Sequence, residues 1–294
     1  MRRSHGAPAL PAPVLERYAR DALDEDLGAG DVTTGLLVPG DLTVSADLVA
    51  REAGVPCGLE LARAVFRALD PAIEATLHCQ DGDAVEAGTT LLTLRGAARP
   101  ILSAERVALN FVGRLSGIAT LTRRYVDAVD GTGTRIVDTR KTTPGLRPLE
   151  RYAVRCGGGH NHRYGLSDGF MLKDNHRAAL AAAGRSVPDA VREARSRLGH
   201  GVAITIEVDT PEQVEEALAA GADAVLLDNM APEQLAASVR TIDGGALTEA
   251  SGGITLETVR SAAESGVDLV SVGALTHSAP ALDVALEVDW EADR

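Results

Sequence analysis

The sequence predicts an α/β protein in two parts, an N-terminal α+β unit followed by an α/β barrel, whole or incomplete. Three observations predict it. Past residue 134, short apolar segments alternate with helical ones at the spacing of parallel βα units. Those segments are apolar nearly throughout, as strands covered on both faces must be. Before residue 100, strand-like runs are instead mixed with helical spacing and Gly/Thr-rich loops. At 294 residues and 45% hydrophobic, the chain can bury one large core or two smaller ones. Aromatics supply only 3%, so the core must be built from Ala, Val, Leu and Ile.

The first 13 residues, rich in Pro and Ala, are expected to form a flexible leader. Residues 14–115 are expected as the N-terminal domain, 116–276 as the barrel and 277–294 as a segment returning to the N-terminal domain. A helix is expected over 14–23, then a loop at 26–35 (DLGAGDVTTG). Strands are expected at 42–50, 72–79 and 90–96, with a helix at 59–69 between the first two. The run 81–96 resembles a barrel-sandwich hammerhead but lacks the lysine that a lipoyl or biotinyl carrier needs, so it is read as structural. Residues 101–130 form a long helical region with an expected break near Ser116-Gly117.

From residue 134 the expected strands are 134–139, 169–173, 202–208, 222–228, 246–251 and 268–273. Helical patterns at 211–221, 232–242 and 256–266 lie between them. Pro211 and Pro232 fit first helical turns, and Gly221 and Gly266 fit C-terminal stops.

Charge is the sharper signal. The chain carries a formal −13, yet residues 135–173 hold Arg135, Arg140, Lys141, Arg147, Arg151, Arg155, Arg163 and Lys173 against only Asp138, Glu150 and Asp168. Cations concentrated in an acidic protein predict a pocket for a small anion rather than a nucleic-acid surface. Arginine suits that task because its fork grips carboxylate or phosphate bidentately. Cys57, Cys79 and Cys156 are odd in number and lack C-x-x-C spacing, which speaks against a disulfide framework or zinc site, and each is read as a small buried hydrophobe. No apolar run approaches the ~20 residues that cross a bilayer, and a soluble, cytoplasmic protein is expected.

The expected strands all end in polar residues or glycine: Asp138-Thr-Arg-Lys141, Lys173-Asp-Asn175, Glu207, Asp228-Asn229, Ser251-Gly-Gly253 and Gly273. In an α/β barrel the active site lies at those ends. Ser251, Gly252, Gly253 and Gly273 fit a phosphate cup of bare backbone N–H groups. Glu207 and Asp228 could hold sugar hydroxyls or a divalent metal such as Mg²⁺. Helix capping accounts for Asp209 and could account for Asp228, but not for Glu207 inside an apolar strand. His160 and His162 are candidate donors or acid–base groups, with a structural role equally open for His160. No serine-protease logic, zincin helix, P-loop or dinucleotide fingerprint is present.

The segments ERVALNFVGRLSGIAT (105–120), DTRKTTPGLRPLERYAVRCGGGHNHR (138–163), MLKDNH (171–176), IEVDT (206–210), LLDNM (226–230), EASGGI (249–254) and VSVGALTHS (270–278) resemble the quinolinate phosphoribosyltransferases. The resemblance runs from about residue 26 to 278, with Arg151 standing where lysine is common. It implies an N-terminal α/β sandwich and a C-terminal open, incomplete α/β barrel, assembled at least as a homodimer. It implies that quinolinate and phosphoribosyl pyrophosphate give nicotinate mononucleotide, pyrophosphate and CO₂, with Mg²⁺, in NAD biosynthesis. By resemblance Arg106, Arg140, Lys141, His162, Arg163 and Lys173 bind quinolinate, Arg106 from the neighbouring subunit. Lys173, Glu207, Asp228, Ser251, Gly252, Gly253 and Gly273 bind phosphoribosyl pyrophosphate. Lys141, Glu207 and Asp228 are the expected catalytic groups, with Glu207 and Asp228 near the metal, directly or not. The alternatives are a paralogous phosphoribosyltransferase acting on another base (the molybdate-transport-associated type), a sugar-phosphate isomerase or aldolase using Lys141 or Lys173 as a Schiff base, and a non-catalytic binding module.

Overall fold

A computed structural model describes residues 9–290 of the chain. The elements begin with α1 (Ala12–Leu27), α2 (Val32–Leu37), β1 (Thr43–Ala50), α3 (Leu59–Leu69), β2 (Glu74–Leu77) and β3 (Thr90–Ala97). They continue with α4 (Ala98–Ala128), β4 (Arg135–Val137), α5 (Arg147–Cys156), β5 (Phe170–Leu172), α6 (Asp174–Ala182) and α7 (Val187–Arg197). Then come β6 (Ile204–Val208), α8 (Pro211–Ala219), β7 (Ala224–Asp228), α9 (Pro232–Ile242) and β8 (Leu247–Ser251). The last are α10 (Val259–Glu264), β9 (Leu269–Ser271), α11 (Ala274–His277) and β10 (Val284–Asp289).

These form two compact units. One takes the chain up to Arg123, the segment Pro144–Gly158 and the chain from Ala279 onward; the other takes Arg124–Thr143 and Gly159–Ser278. The boundary expected between residues 115 and 116 therefore falls inside α4, and the first unit is built from three separate stretches.

In the first unit four strands form an antiparallel sheet in the order β10-β1-β3-β2. Val44, Ala46 and Leu48 of β1 are buried at every second position, the period of a strand with one face on a core. Phe66, Leu59 and Leu61 of α3 fill that core without solvent exposure worth the name. Helix α3 starts at Gly58, whose φ of +92° favours glycine. There the Asp81 carboxylate accepts from Gly58 N at 3.0 Å and Leu59 N at 3.1 Å, and from the Tyr152 hydroxyl at 2.9 Å.

Four expectations are corrected here. Of the expected leader, residues 1–8 lie outside the described residues, and Ala12 and Pro13 already belong to α1. The loop at 26–35 contains the start of α2, because Asp31 caps it by accepting from Thr34 N at 2.9 Å. Helix α4 runs unbroken through Ser116-Gly117. Gly117 serves close packing instead, since a Cβ there would stand 1.9 Å from the Pro280 carbonyl oxygen. Cys57 and Cys156 are buried as expected, but Cys79 is only partly covered.

In the second unit six strands form one parallel sheet, ordered β4-β9-β8-β7-β6-β5. Its edges β4 and β5 are not paired with each other among the described strands, so the barrel is open. Ile204, Ile206, Val225, Leu227 and Val270 are completely buried, as strands covered on both faces require. Pro211 and Pro232 stand in the first turns of α8 and α9. Asp209 caps nothing: the N-cap of α8 is Thr210, and the Asp209 backbone N–H donates to Gln213 Oε1 at 2.9 Å. Nor does Asp228 cap α9, whose N-cap is Ala231. No helix among the described residues is long and apolar enough to cross a membrane.

Candidate active site

The parallel register decides which side chains converge. Leu226 on β7 lies opposite Glu207 on β6 and Glu249 on β8, and paired residues of parallel strands project to the same face. One residue pair further on, Asp228 lies opposite Ser251. All five line one cavity of about 440 Å³ in the second unit, the size of a small-molecule site.

The other wall is cationic. Arg140, Lys141, Arg163 and Lys173 line the same cavity, the first two from the loop after β4 and Lys173 from the end of β5. Arg163 is oriented by donating through Nη1 to the Gly169 carbonyl at 3.1 Å. Burial, and then the neighbouring Arg140 charge, hold the Arg163 guanidinium below the ordinary arginine value, with Asp168 and Glu207 opposing. Two guanidiniums held near each other in a concave site form a cradle that an anion relieves. Lys173 is ion-paired with Glu207, so one cation and one carboxylate of the site neutralise each other.

The backbone that carries these groups hangs on Asp138. Its carboxylate is fully buried and accepts from Asn161 Nδ2 at 2.6 Å and from the His162 backbone N–H at 2.7 Å. The His160 backbone N–H donates to the Ile136 carbonyl at 2.8 Å and Asp138 N returns to the His160 carbonyl at 3.0 Å. Asp138 and Asn161 thus tie GGGHNHR to β4, and His160 acts here through its backbone. His162 joins the cavity lining, with Nε2 3.1 Å from Glu249 Oε2.

Two of the expected cup residues, Gly252 and Gly253, have a backbone that favours glycine. Gly252 has φ +91°, and a Cβ there would come within 2.2 Å of Asn229 Oδ1. Gly253 has φ +59°, and a Cβ on Gly273 would stand 3.0 Å from Lys141 Cδ. Ser251 lines the cavity, and its carbonyl accepts from Asn229 N at 2.9 Å.

Of the residues predicted from sequence, Arg140, Lys141, His162, Arg163, Lys173, Glu207, Asp228 and Ser251 are brought together, with Gly273 packed against Lys141. Gly252 and Gly253 follow Ser251 without lining the cavity themselves. Arg106 is elsewhere, exposed on α4 in the first unit. Arg147, Arg151 and Arg155 belong to α5 of the first unit and are not in the lining either. Only part of the basic stretch therefore serves the cavity. Sequence reasoning missed Glu249, Ser271 and the tethering role of Asp138. The signal for Glu249 was the one that marked Glu207, a carboxylate inside an otherwise inward-facing strand.

Comparison with known proteins agrees with this geometry. Residues 118–287 match the family model of the quinolinate phosphoribosyl transferase C-terminal domain, and residues 31–116 match that of the N-terminal domain. The chain is 46% identical over 264 residues to the probable nicotinate-nucleotide pyrophosphorylase [carboxylating] of Bacillus subtilis, covering 90% of each. It is 44% identical over 275 residues to the nicotinate-nucleotide pyrophosphorylase [carboxylating] of Mycobacterium leprae, covering 92% of this chain and 95% of that one. The crystal structure of NadC from Streptococcus pyogenes superposes with a TM-score of 0.91 at 39% identity, covering 96% of this chain and 99% of that one. The chain belongs to the quinolinate phosphoribosyltransferase family.

Proposed function

We propose that this enzyme transfers the phosphoribosyl group of phosphoribosyl pyrophosphate to quinolinate with decarboxylation, giving nicotinate mononucleotide, pyrophosphate and CO₂ in NAD biosynthesis. The observation that carries the reading is the division of one cavity into a cationic wall and a carboxylate wall. Quinolinate is a dicarboxylate, suited to Arg140, Lys141 and Arg163. The second substrate brings phosphates for Lys141, Lys173 and the Ser251-Gly252-Gly253 and Gly273 backbone, and a ribose for Glu207 and Asp228.

The chemistry follows from where the charges sit. Departure of pyrophosphate leaves an oxocarbenium-like ribose, whose positive charge the Glu207 and Asp228 carboxylates stabilise. The pyridine nitrogen attacks, and its new positive charge favours loss of the adjacent carboxylate as CO₂. The arginines hold the carboxylate that stays. Lys173 exchanges its Glu207 partner for substrate, so that binding frees the carboxylate for the ribose.

Mg²⁺ fits as a companion of the substrate. Among the described residues Glu207 and Asp228 belong to no cluster of three potential metal ligands. Mg²⁺ commonly uses one or two carboxylates together with substrate phosphates. Glu207 and Asp228 would hold it directly or through water, and when bound it neutralises the departing pyrophosphate.

A homodimer completes the site in this reading, with Arg106 of the partner subunit reaching the quinolinate. In support, Arg106 is exposed on α4, and Val32, Leu36 and Leu37 of α2 are each more than 70% exposed, an apolar surface that association would cover. A cytoplasmic place accords with three free cysteines. The test is to incubate the protein with quinolinate, phosphoribosyl pyrophosphate and Mg²⁺, following CO₂ and nicotinate mononucleotide by mass spectrometry, with nicotinate as comparison base. Product from quinolinate alone is expected. Binding of phosphoribosyl pyrophosphate without product would point to a paralogue acting on another base.

A further inference from the structure

Glu249 carries more than the site as proposed requires. It is 2% exposed and lines the cavity. Its Oε2 meets His162 Nε2 at 3.1 Å. The Arg163 backbone N–H donates to His162 Nδ1 at 2.7 Å. A backbone N–H can only donate, so Nδ1 is an unprotonated acceptor and the ring proton resides on Nε2. Glu249 Oε2 is the acceptor that fixes this tautomer.

The other oxygen has no such partner. Glu249 Oε1 is buried and accepts no hydrogen bond among the described residues. A buried carboxylate oxygen left without a donor is costly, and native proteins rarely leave one unless a ligand or water fills the place. The donor inventory of the substrates narrows the choice. Quinolinate as its dianion offers acceptors only. Phosphoribosyl pyrophosphate, with its phosphates ionised, offers the two ring hydroxyls of its ribose. Before substrate binds, Glu207 is ion-paired with Lys173 and Asp228 Oδ2 accepts from Asn229 Nδ2 at 2.6 Å, whereas Glu249 Oε1 is the buried oxygen left with no donor.

We propose that Glu249 divides its carboxylate between the two substrates. Oε2 positions the His162 ring beside the quinolinate cations, and Oε1 accepts a ring hydroxyl of the ribose. This rests on the transferase reading and adds a third carboxylate to Glu207 and Asp228. It explains why a carboxylate stands in a cavity that must bind two anions: it faces the only donors that either substrate brings.

The test is a binding cycle on the full-length protein, by calorimetry with ribose 5-phosphate and its 2-deoxy and 3-deoxy forms. In the unaltered protein, loss of the relevant hydroxyl is expected to weaken binding roughly tenfold or more. In Glu249→Ala that penalty disappears for the same hydroxyl. Glu249→Gln separates the two halves of the carboxylate: its amide oxygen still accepts from His162. The KM for quinolinate is expected to stay near that of the parent, while the KM for phosphoribosyl pyrophosphate rises. Equal hydroxyl penalties with and without Glu249, or Glu249→Gln kinetics unchanged for both substrates, would overturn the proposal and leave a buried water as the occupant. If Glu249→Ala does not fold, Glu249→Gln with the deoxy probes decides. A parent protein that binds no ribose 5-phosphate and turns over no quinolinate would instead sink the transferase reading itself.

Discussion

Two buried carboxylates of the second unit both hold His162, and they are served very differently. Asp138, at the end of β4, accepts from Asn161 Nδ2 with one oxygen and from His162 N with the other. Glu249, on β8, gives one oxygen to the His162 ring and keeps the other without a partner. The first is a closed network that fixes backbone. The second is open, and it stands in a cavity where Arg140 and Arg163 also crowd like charges together. Satisfied polar groups build the scaffold, and unsatisfied ones mark where the ligand belongs.

Breaking the closed network should have the largest effect. Asp138→Ala deprives two part-buried donors of their acceptor at about 1–3 kcal/mol each, so a loss of roughly 2–6 kcal/mol in stability is expected, with activity lost alongside. Denaturant unfolding beside turnover checks it, and an unchanged midpoint would refute the tether. Arg163→Ala attacks the open network, and the contrast should appear as a split. Activity falls on the order of 1.5–3 kcal/mol, about ten- to a hundredfold, because a charge-assisted contact to substrate is removed. Stability is expected to hold, since a like charge beside Arg140 goes with it, and a comparable loss of stability would contradict the assignment.

Asp81 sharpens the same comparison from the first unit, as another carboxylate supplied with donors, here from Gly58, Leu59 and Tyr152. Burial lifts its ionisation above the usual carboxylate value, while those donors lower it. Asp81→Ala should cost about 0.5–2 kcal/mol of stability, the scale of a lost helix cap, with KM for both substrates unchanged. The smallest effect is expected at Arg192, whose exposed ion pair with Asp189 spans 2.8 Å on α7. Arg192→Ala should leave the melting temperature within about 0.5 kcal/mol equivalent and turnover intact.

The barrel was legible because its strands are apolar and its breakpoints chemically marked. All six expected strands form the parallel sheet, and their polar ends meet in one cavity. What escaped had weaker physical signals. Helix α2 is only six residues long and contains two threonines and a glycine, poor helix formers that a single Asp31 cap offsets. Strand β10 alternates too weakly in VALEVD to stand out before it pairs with β1. The Ser116-Gly117 break was expected from glycine flexibility, whereas glycine serves there as the absence of a side chain against Pro280. The basic stretch was read as one patch because linear charge density does not reveal that Arg147, Arg151 and Arg155 fall on α5. Glu249 gave a weaker signal than the Gly252-Gly253 pair that follows it three and four residues on.

The pairing of β1 with β10 has a consequence for synthesis. Ala46 lies opposite Val288, so the first sheet to be translated waits for a strand made after every strand of the second unit. The strands of the second unit all lie between these two and can pair as they emerge. Until β10 has been synthesised, β1 presents an unpaired edge, the kind of template on which nascent chains misassociate. A truncation that removes Val284–Asp289 should therefore harm solubility during expression more than its place outside the cavity lining would suggest.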